Sequence, residues 1–206
     1  MTFKELIEES SRRGLTYMLD GGTKEARLKR WINDAYREVS DEAAWPFREV
    51  TKEGKAPLTI EDASHVLSFI DATNKEDLRG VDRRTLLAAD PALTATGFAE
   101  YWYREGSSTF KVYPADTSST FSVIYLKSPK ELKEATDTPI FPTNYHEIII
   151  DGTVIRGLKD QNNWEAMAQL RGEWRASLGR MKKELLPVNY ANAETTQRTG
   201  TPGDYL

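Results

Sequence analysis

The sequence predicts a mixed α+β protein. Its N- and C-terminal helix pairs are expected to pack as one antiparallel helical bundle, with a central antiparallel β insertion between them and an extended C-terminal tail. Three observations carry this expectation. Apolar residues recur at helical spacing on both sides of the chain's middle. The middle itself favours strands, with turn signals at Glu53-Gly54 and Glu105-Gly106-Ser107. The end of the chain has no periodicity at all. A helix with one apolar face has to bury it against another layer, so the two terminal pairs are expected to meet. Residues 1–44 and 128–186 then read as the helical bundle, 45–127 as the β-rich insertion and 187–206 as the tail.

A first helix is expected over about 2–18, with Phe3, Leu6, Ile7, Ser10, Gly14, Tyr17 and Met18 along one face. Small residues in that stripe would let another backbone come close. The stretch Leu19–Gly22 stops it. Thr23 is placed to cap a second helix, with Glu25 near its positive end. There Leu28, Trp31, Ile32, Ala35, Tyr36 and Val39 keep the i, i+3, i+4, i+7 spacing of a buried face.

The pattern changes at "WPFREV" (45–50). "FREVTKEGKAPLTI" reads as two short strands, the second held to an edge or an end by Pro57, which has no N–H to donate. "HVLSFI" (65–70) reads as a buried strand, and "VDRRTLLAADP" as a helical turn or two. "AEYWYREGSSTFKVYP" is an aromatic hairpin. "STFSVIYLKS" is expected to continue it, with Phe121, Val123 and Tyr125 on one face and Ile124 and Leu126 on the other, so that both faces need cover.

"SPKEL" resembles a helix start with proline at the first position. A helix follows over about 145–159, facing inward with Tyr145, Ile148, Ile149, Gly152, Ile155 and Leu158. The last helix, about 163–186, carries Trp164, Met167, Trp174, Leu178, Met181 and Leu185 on one stripe. Asn162 and Glu165 have capping-box spacing, and Lys182 and Lys183 suit the negative end. The expected bundle core is therefore Leu28, Trp31, Ile32, Tyr36, Ile148, Ile149, Ile155, Trp164, Trp174 and Leu178.

Composition bounds the chemistry. The chain has 206 residues, 39% hydrophobic and 29% charged, with a net charge of −4 and no cysteine. Thiol chemistry and disulfides are therefore excluded. A mild negative charge argues against binding nucleic acid through clustered cations. No apolar run approaches the length of a membrane span, and no membrane partner or cofactor is expected.

His146-Glu147 is the obvious catalytic temptation. A zinc protease needs a second histidine four residues on, and that position is Ile150. The plainer reading is a helix start, capped by Thr143 or Asn144 with Glu147 in the third position. No phosphate-binding loop or serine elbow is present, so no catalytic or metal-binding residue is assigned and the chain is not read as an enzyme. The alternative function is a small nucleic-acid-binding or regulatory protein. It would use the basic N-terminal helix pair with Arg12, Arg13, Lys24, Arg27, Lys29 and Arg30. Against it, the second helix spends Trp31, Ile32 and Tyr36 on packing.

The order of features resembles the head-to-tail connector, or adaptor and head-completion, proteins of tailed bacteriophages. The resemblance rests on "LKRWINDAYREV" with Trp31, Asn33, Ala35 and Tyr36, on the aromatic strands of 101–132, and on "DTPIFPTNYHEIIIDG" (137–152). It implies a structural virion protein at the head–tail interface, in the host cytoplasm before assembly. Copies would form a homo-oligomeric ring, usually twelve-fold, under the portal protein. The ring would extend the channel for passing double-stranded DNA without reading its sequence, and would dock the next connector or tail protein. The polar tail, with Tyr190, Tyr205 and Leu206 as its anchors, would bind the portal.

Overall fold

In a computed structural model of the chain, which describes residues 1–19 and 22–186, the fold is mixed α+β, with five α-helices and two β-sheets among those residues. Contacts divide it into two compact units. One comprises 1–47 together with the chain from 129 onward, and the other comprises 48–128.

The first unit is helical. Helix α1 spans Phe3–Ser10 and starts in a capping box, in which Thr2 accepts from the Glu5 N–H and Glu5 accepts from the Thr2 N–H. It is shorter than the sequence predicts. The chain leaves the helix in a wide turn, Ser11–Leu15, where Gly14 has φ +106°. Only glycine takes that conformation without steric cost, so the residue expected to open a close contact ends the helix instead. Helix α2 (Thr23–Asp41) begins as expected, but Thr23 is its first turn; the cap is Gly22, with no side-chain bond.

Helix α4 (His146–Asp160) lies at the centre of this unit, packed against α1, α2 and α5 (Trp164–Leu185). It is buried nearly all round, including Ile150, Thr153 and Val154 outside the expected inward face. A helix buried over most of its circumference is a core helix, and its charged residues, Glu147, Asp151, Arg156, Lys159 and Asp160, keep to the remaining margin and the C-terminal end. Gly152 makes the centre possible. A Cβ there would sit 3.1 Å from the Ala35 Cβ and 3.3 Å from the Trp174 Nε1, so α2 and α5 close on α4 from two sides. The cap of α5 is Asn163, not Asn162; its side chain accepts from Ala166, while Asn162 takes φ +57° in the turn before it.

"SPKEL" is not helical: residues 128–133 have no regular structure. The buried Asn33 side chain explains this. It accepts from the Leu132 N–H at 2.8 Å and donates to the Leu132 C=O at 3.0 Å. A backbone bonded outward in this way is extended. Tyr36 Oη then accepts from the Ile140 N–H at 3.1 Å. Two α2 side chains thus hold the segment leading back into α4.

The second unit contains two four-stranded sheets around its own apolar core. The first runs in the order β1 (Glu49–Gly54), β8 (Phe121–Lys127), β3 (Ala63–Asp71), β4 (Glu76–Asp77) and is antiparallel. The second runs β2 (Leu58–Thr59), β7 (Thr109–Tyr113), β6 (Tyr101–Glu105), β5 (Arg79–Gly80), its last pair parallel. The chain changes sheet four times, at β1–β2, β2–β3, β4–β5 and β7–β8. The two strands read from "FREVTKEGKAPLTI" therefore belong to different sheets, and Pro57 precedes a two-residue edge strand. The β6–β7 hairpin forms with Tyr101 opposite Tyr113, but β8 leaves it to become a central strand of the other sheet. Strand β3 is only half covered, with Leu67 and His65 exposed. Helix α3 (Arg83–Ala89) starts on an Asp82 cap.

The ends of this unit lie side by side. Glu49 pairs with Leu126, the buried Arg48 donates from Nε to the Lys127 C=O at 2.9 Å, and Ser128 N–H donates to the Asp62 C=O at 2.6 Å.

Asp116 builds the turn before β8. It is buried and accepts from the hydroxyls and N–H groups of Ser118 and Ser119 at 2.7–3.1 Å. Chiefly through the Ser119 hydroxyl, these bonds hold its carboxyl down at about 2. The carboxylate's contribution is thus fully present above the unfolded value near 4 and is lost as pH falls through 2. Asp116→Ala is expected to cost about 2 kcal/mol in denaturant titration at pH 7. The difference from the parent should shrink towards zero on acidification to pH 2.

Candidate interaction surfaces of the helical unit

His146 is structural. It is buried, and its Nε2 stands 2.9 Å from the Phe141 C=O while its Nδ1 stands 2.8 Å from the Met1 amine. The carbonyl only accepts, so Nε2 carries the proton and Nδ1 presents its lone pair to the ammonium. Burial pushes the imidazole's pKa down, with the N-terminal charge acting in the same direction. Its neighbour Glu147 lies 3.5 Å from Arg13. Neither side-chain cap expected for this helix, Thr143 or Asn144, is present; a 3-10 turn, Thr143–Tyr145, leads in without one. Among the described residues no group of three His, Asp or Glu is arranged to hold a metal ion, and no helix is long and apolar enough to cross a membrane.

The basic N-terminal stretch is largely neutralised. Arg13 sits among Glu9, Glu147 and Asp151 at 3.2, 3.5 and 3.0 Å. Burial pushes the Asp151 carboxyl up, with Arg13 pulling against it. Arg12 pairs with Glu9, Arg27 with Asp160 and Lys29 with Glu25. Cations engaged in this way offer little to a phosphate backbone.

Of the expected core residues, Leu28, Trp31, Ile32, Tyr36, Ile148, Ile149, Ile155, Trp174 and Leu178 share one buried cluster. Trp164 does not: it is 53% exposed. As the first residue of α5 it keeps the spacing of the stripe but stands where the helix begins, at the mouth of a cleft. Trp164→Ala is accordingly expected to change stability by less than about 0.5 kcal/mol, measured by thermal unfolding.

That cleft, about 360 Å³, lies between α2, α4 and α5 and is lined by Glu38, Arg156, Lys159, Trp164, Met167, Arg171 and Trp174, among others. Arg156 bonds Glu38 at 2.6 Å. Sequence reasoning missed this site, because its parts lie on three helices far apart in the chain. The exposed aromatic beside cations fits protein contact better than turnover of a small substrate. The anchors assigned to the tail, Tyr190, Tyr205 and Leu206, lie outside the described residues.

No curated protein matches the chain. The family model described as SU10 adaptor protein matches residues 1–203. The chain belongs to the SU10 adaptor family. Membership makes it a phage structural adaptor, which is not an enzyme class. Such a protein resides in the virion and interacts with other head or tail components. In an adaptor the buried His146 and the paired arginines are scaffold, and the surfaces open to partners carry the function.

Proposed function

We propose that this SU10 adaptor forms a ring, usually of twelve copies, beneath the portal, where it extends the DNA channel and docks the next connector or tail component. The observation that carries this reading is the family match over residues 1–203. In this reading 1–44 and 128–186 form an antiparallel bundle, and 45–127 is a β insertion. The chain waits in the host cytoplasm until it assembles on the head. The net charge of −4 and the paired N-terminal cations support a lumen that does not grip passing DNA.

Residues 187–206 are assigned to portal binding, with Tyr190, Tyr205 and Leu206 as anchors. Aromatic anchors dominate many interfaces, and this segment carries two in an otherwise polar stretch. The test is co-sedimentation with the portal, with imaging of the product. Full-length protein is expected to bind as rings. Removal of 188–206 is expected to leave thermal stability unchanged and to weaken binding, and Tyr190→Ala to weaken it in part. Equal binding by all three proteins would move the contact to the helical unit.

A further inference from the structure

We propose that the cleft beside Trp164 receives the Phe98–Glu100 segment of a second copy of this chain. The inference rests on the reading that copies assemble into a ring, and it names the surfaces that meet. Among the described residues, Phe98 (77% exposed) and Trp164 (53%) are the most exposed large hydrophobic side chains. Rings left this exposed are apolar area that burial against a partner would remove from water.

The two sites are complementary in charge as well as in apolar character. Phe98 is followed by a buried Ala99 and an exposed Glu100. This alternation turns the ring and the carboxylate outward together, with Ala99 anchoring the segment from behind. Among the described residues Glu100 has no ion-pair partner. Across the cleft, Trp164 and Met167 give an apolar wall, and Lys159 and Arg171 are exposed at the rim with no ion-pair partner among the described residues. Arg156, the other cation of the lining, is already held by Glu38. A ring flanked by one carboxylate therefore meets an indole flanked by two exposed cations. Aromatic and arginine side chains are the usual anchors of protein contacts, and the charges set orientation and exclude a reversed docking.

The two patches are different surfaces, so the contact is heterologous: each copy offers its ring to the next and receives one from the last. Contacts of that type repeat, and they close into a ring when the rotation allows it.

The chain has no cysteine, so introduced thiols are the only ones present. Thr96→Cys stands two residues from Phe98, and Met167→Cys stands in the cleft. A mixture of these two single variants, treated with a short bismaleimide at high protein concentration, is expected to give a cross-linked pair well above the level either variant gives alone. Charge reversal provides a second reading. Glu100→Lys, and separately Lys159→Glu with Arg171→Glu, are each expected to weaken self-association roughly tenfold or more, read by sedimentation velocity. An equimolar mixture of the two is expected to restore it, because each altered segment then meets a cleft of opposite charge.

Absence of the mixed cross-link, or failure of the mixture to recover association, overturns the proposal. Rings seen by imaging without the cross-link overturn this contact and leave the ring reading standing; neither ring nor cross-link removes both. Cross-linking of Met167→Cys to Asp204→Cys in place of Thr96→Cys assigns the cleft to the tail and overturns the proposal as well.

Discussion

Replacing Trp174 with alanine is expected to lower the stability of the helical unit by about 3–5 kcal/mol. The indole is 8% exposed, and its Nε1–H donates to the Ile148 C=O at 3.0 Å. It also closes over Gly152, where a Cβ would stand 3.3 Å from its Nε1. The substitution removes the ring, leaves a void, and takes away the second hydrogen bond of a carbonyl that is otherwise served only by its helical partner. Truncation of a large buried aromatic reaches the top of the usual range when the surroundings cannot collapse, and α4 is held on its other sides by α1 and α2. Denaturant titration gives the value directly. A loss below about 1 kcal/mol would mean that α5 does not depend on this contact. Trp174 and Trp164 stand ten residues apart on one helix, and the contrast between their alanine variants separates core from surface.

Asn33→Ala is expected to cost about 2–4 kcal/mol, because it orphans both backbone groups of Leu132 at once. A third bond, from Asn33 Nδ2 to the Lys29 C=O at 3.1 Å, is lost with them. The readout specific to this clamp is amide hydrogen exchange at Leu132, which should accelerate strongly while the interior of α2 stays protected. Aspartate does not rescue. It keeps an acceptor for the Leu132 N–H but turns its second oxygen, unprotonated, towards the two carbonyls that the amide had served. Rescue by aspartate would show that the single N–H bond is sufficient.

Helix α2 was legible because its stripe, Leu28 to Val39, has helical spacing with no competitor, and α5 because its stripe runs through Trp174, Leu178 and Met181. The β6–β7 hairpin was legible from aromatic strands around a glycine turn. Asn33 illustrates the limit. A polar residue inside an apolar stripe signals a buried hydrogen bond, but its partner lies 99 positions away, and no local pattern points to it. "SPKEL" failed for the same reason, since its local helix signal lost to a tertiary bond. Strand β8 was placed with its neighbour in sequence, while its ladders run to β1 and β3; strand identity is local, but pairing is not. Trp164 was misplaced because periodicity states which face a residue occupies and not whether another helix reaches that far. The cleft had no linear signature, its parts being spread over α2, α4 and α5.

The adjacency of the second unit's two ends has a consequence for the order in which the chain folds. The helical unit is discontinuous, and its halves are separated by the 81 residues from Arg48 to Ser128. Bringing the ends of a flexible segment of that length together costs entropy that grows with the logarithm of its length, about 3 kcal/mol more than closing a two-residue link. Once β1 and β8 have paired, Glu49 lies against Leu126, and the long excursion behaves as a short tether. The cost is then charged to the strands, before α4 seeks its place between α1, α2 and α5. During synthesis the strands are also complete before α4 has emerged. A ladder of the second unit thereby sets how fast the helical unit closes, and a defect in the β1–β8 pairing should appear first as slow assembly of the helices.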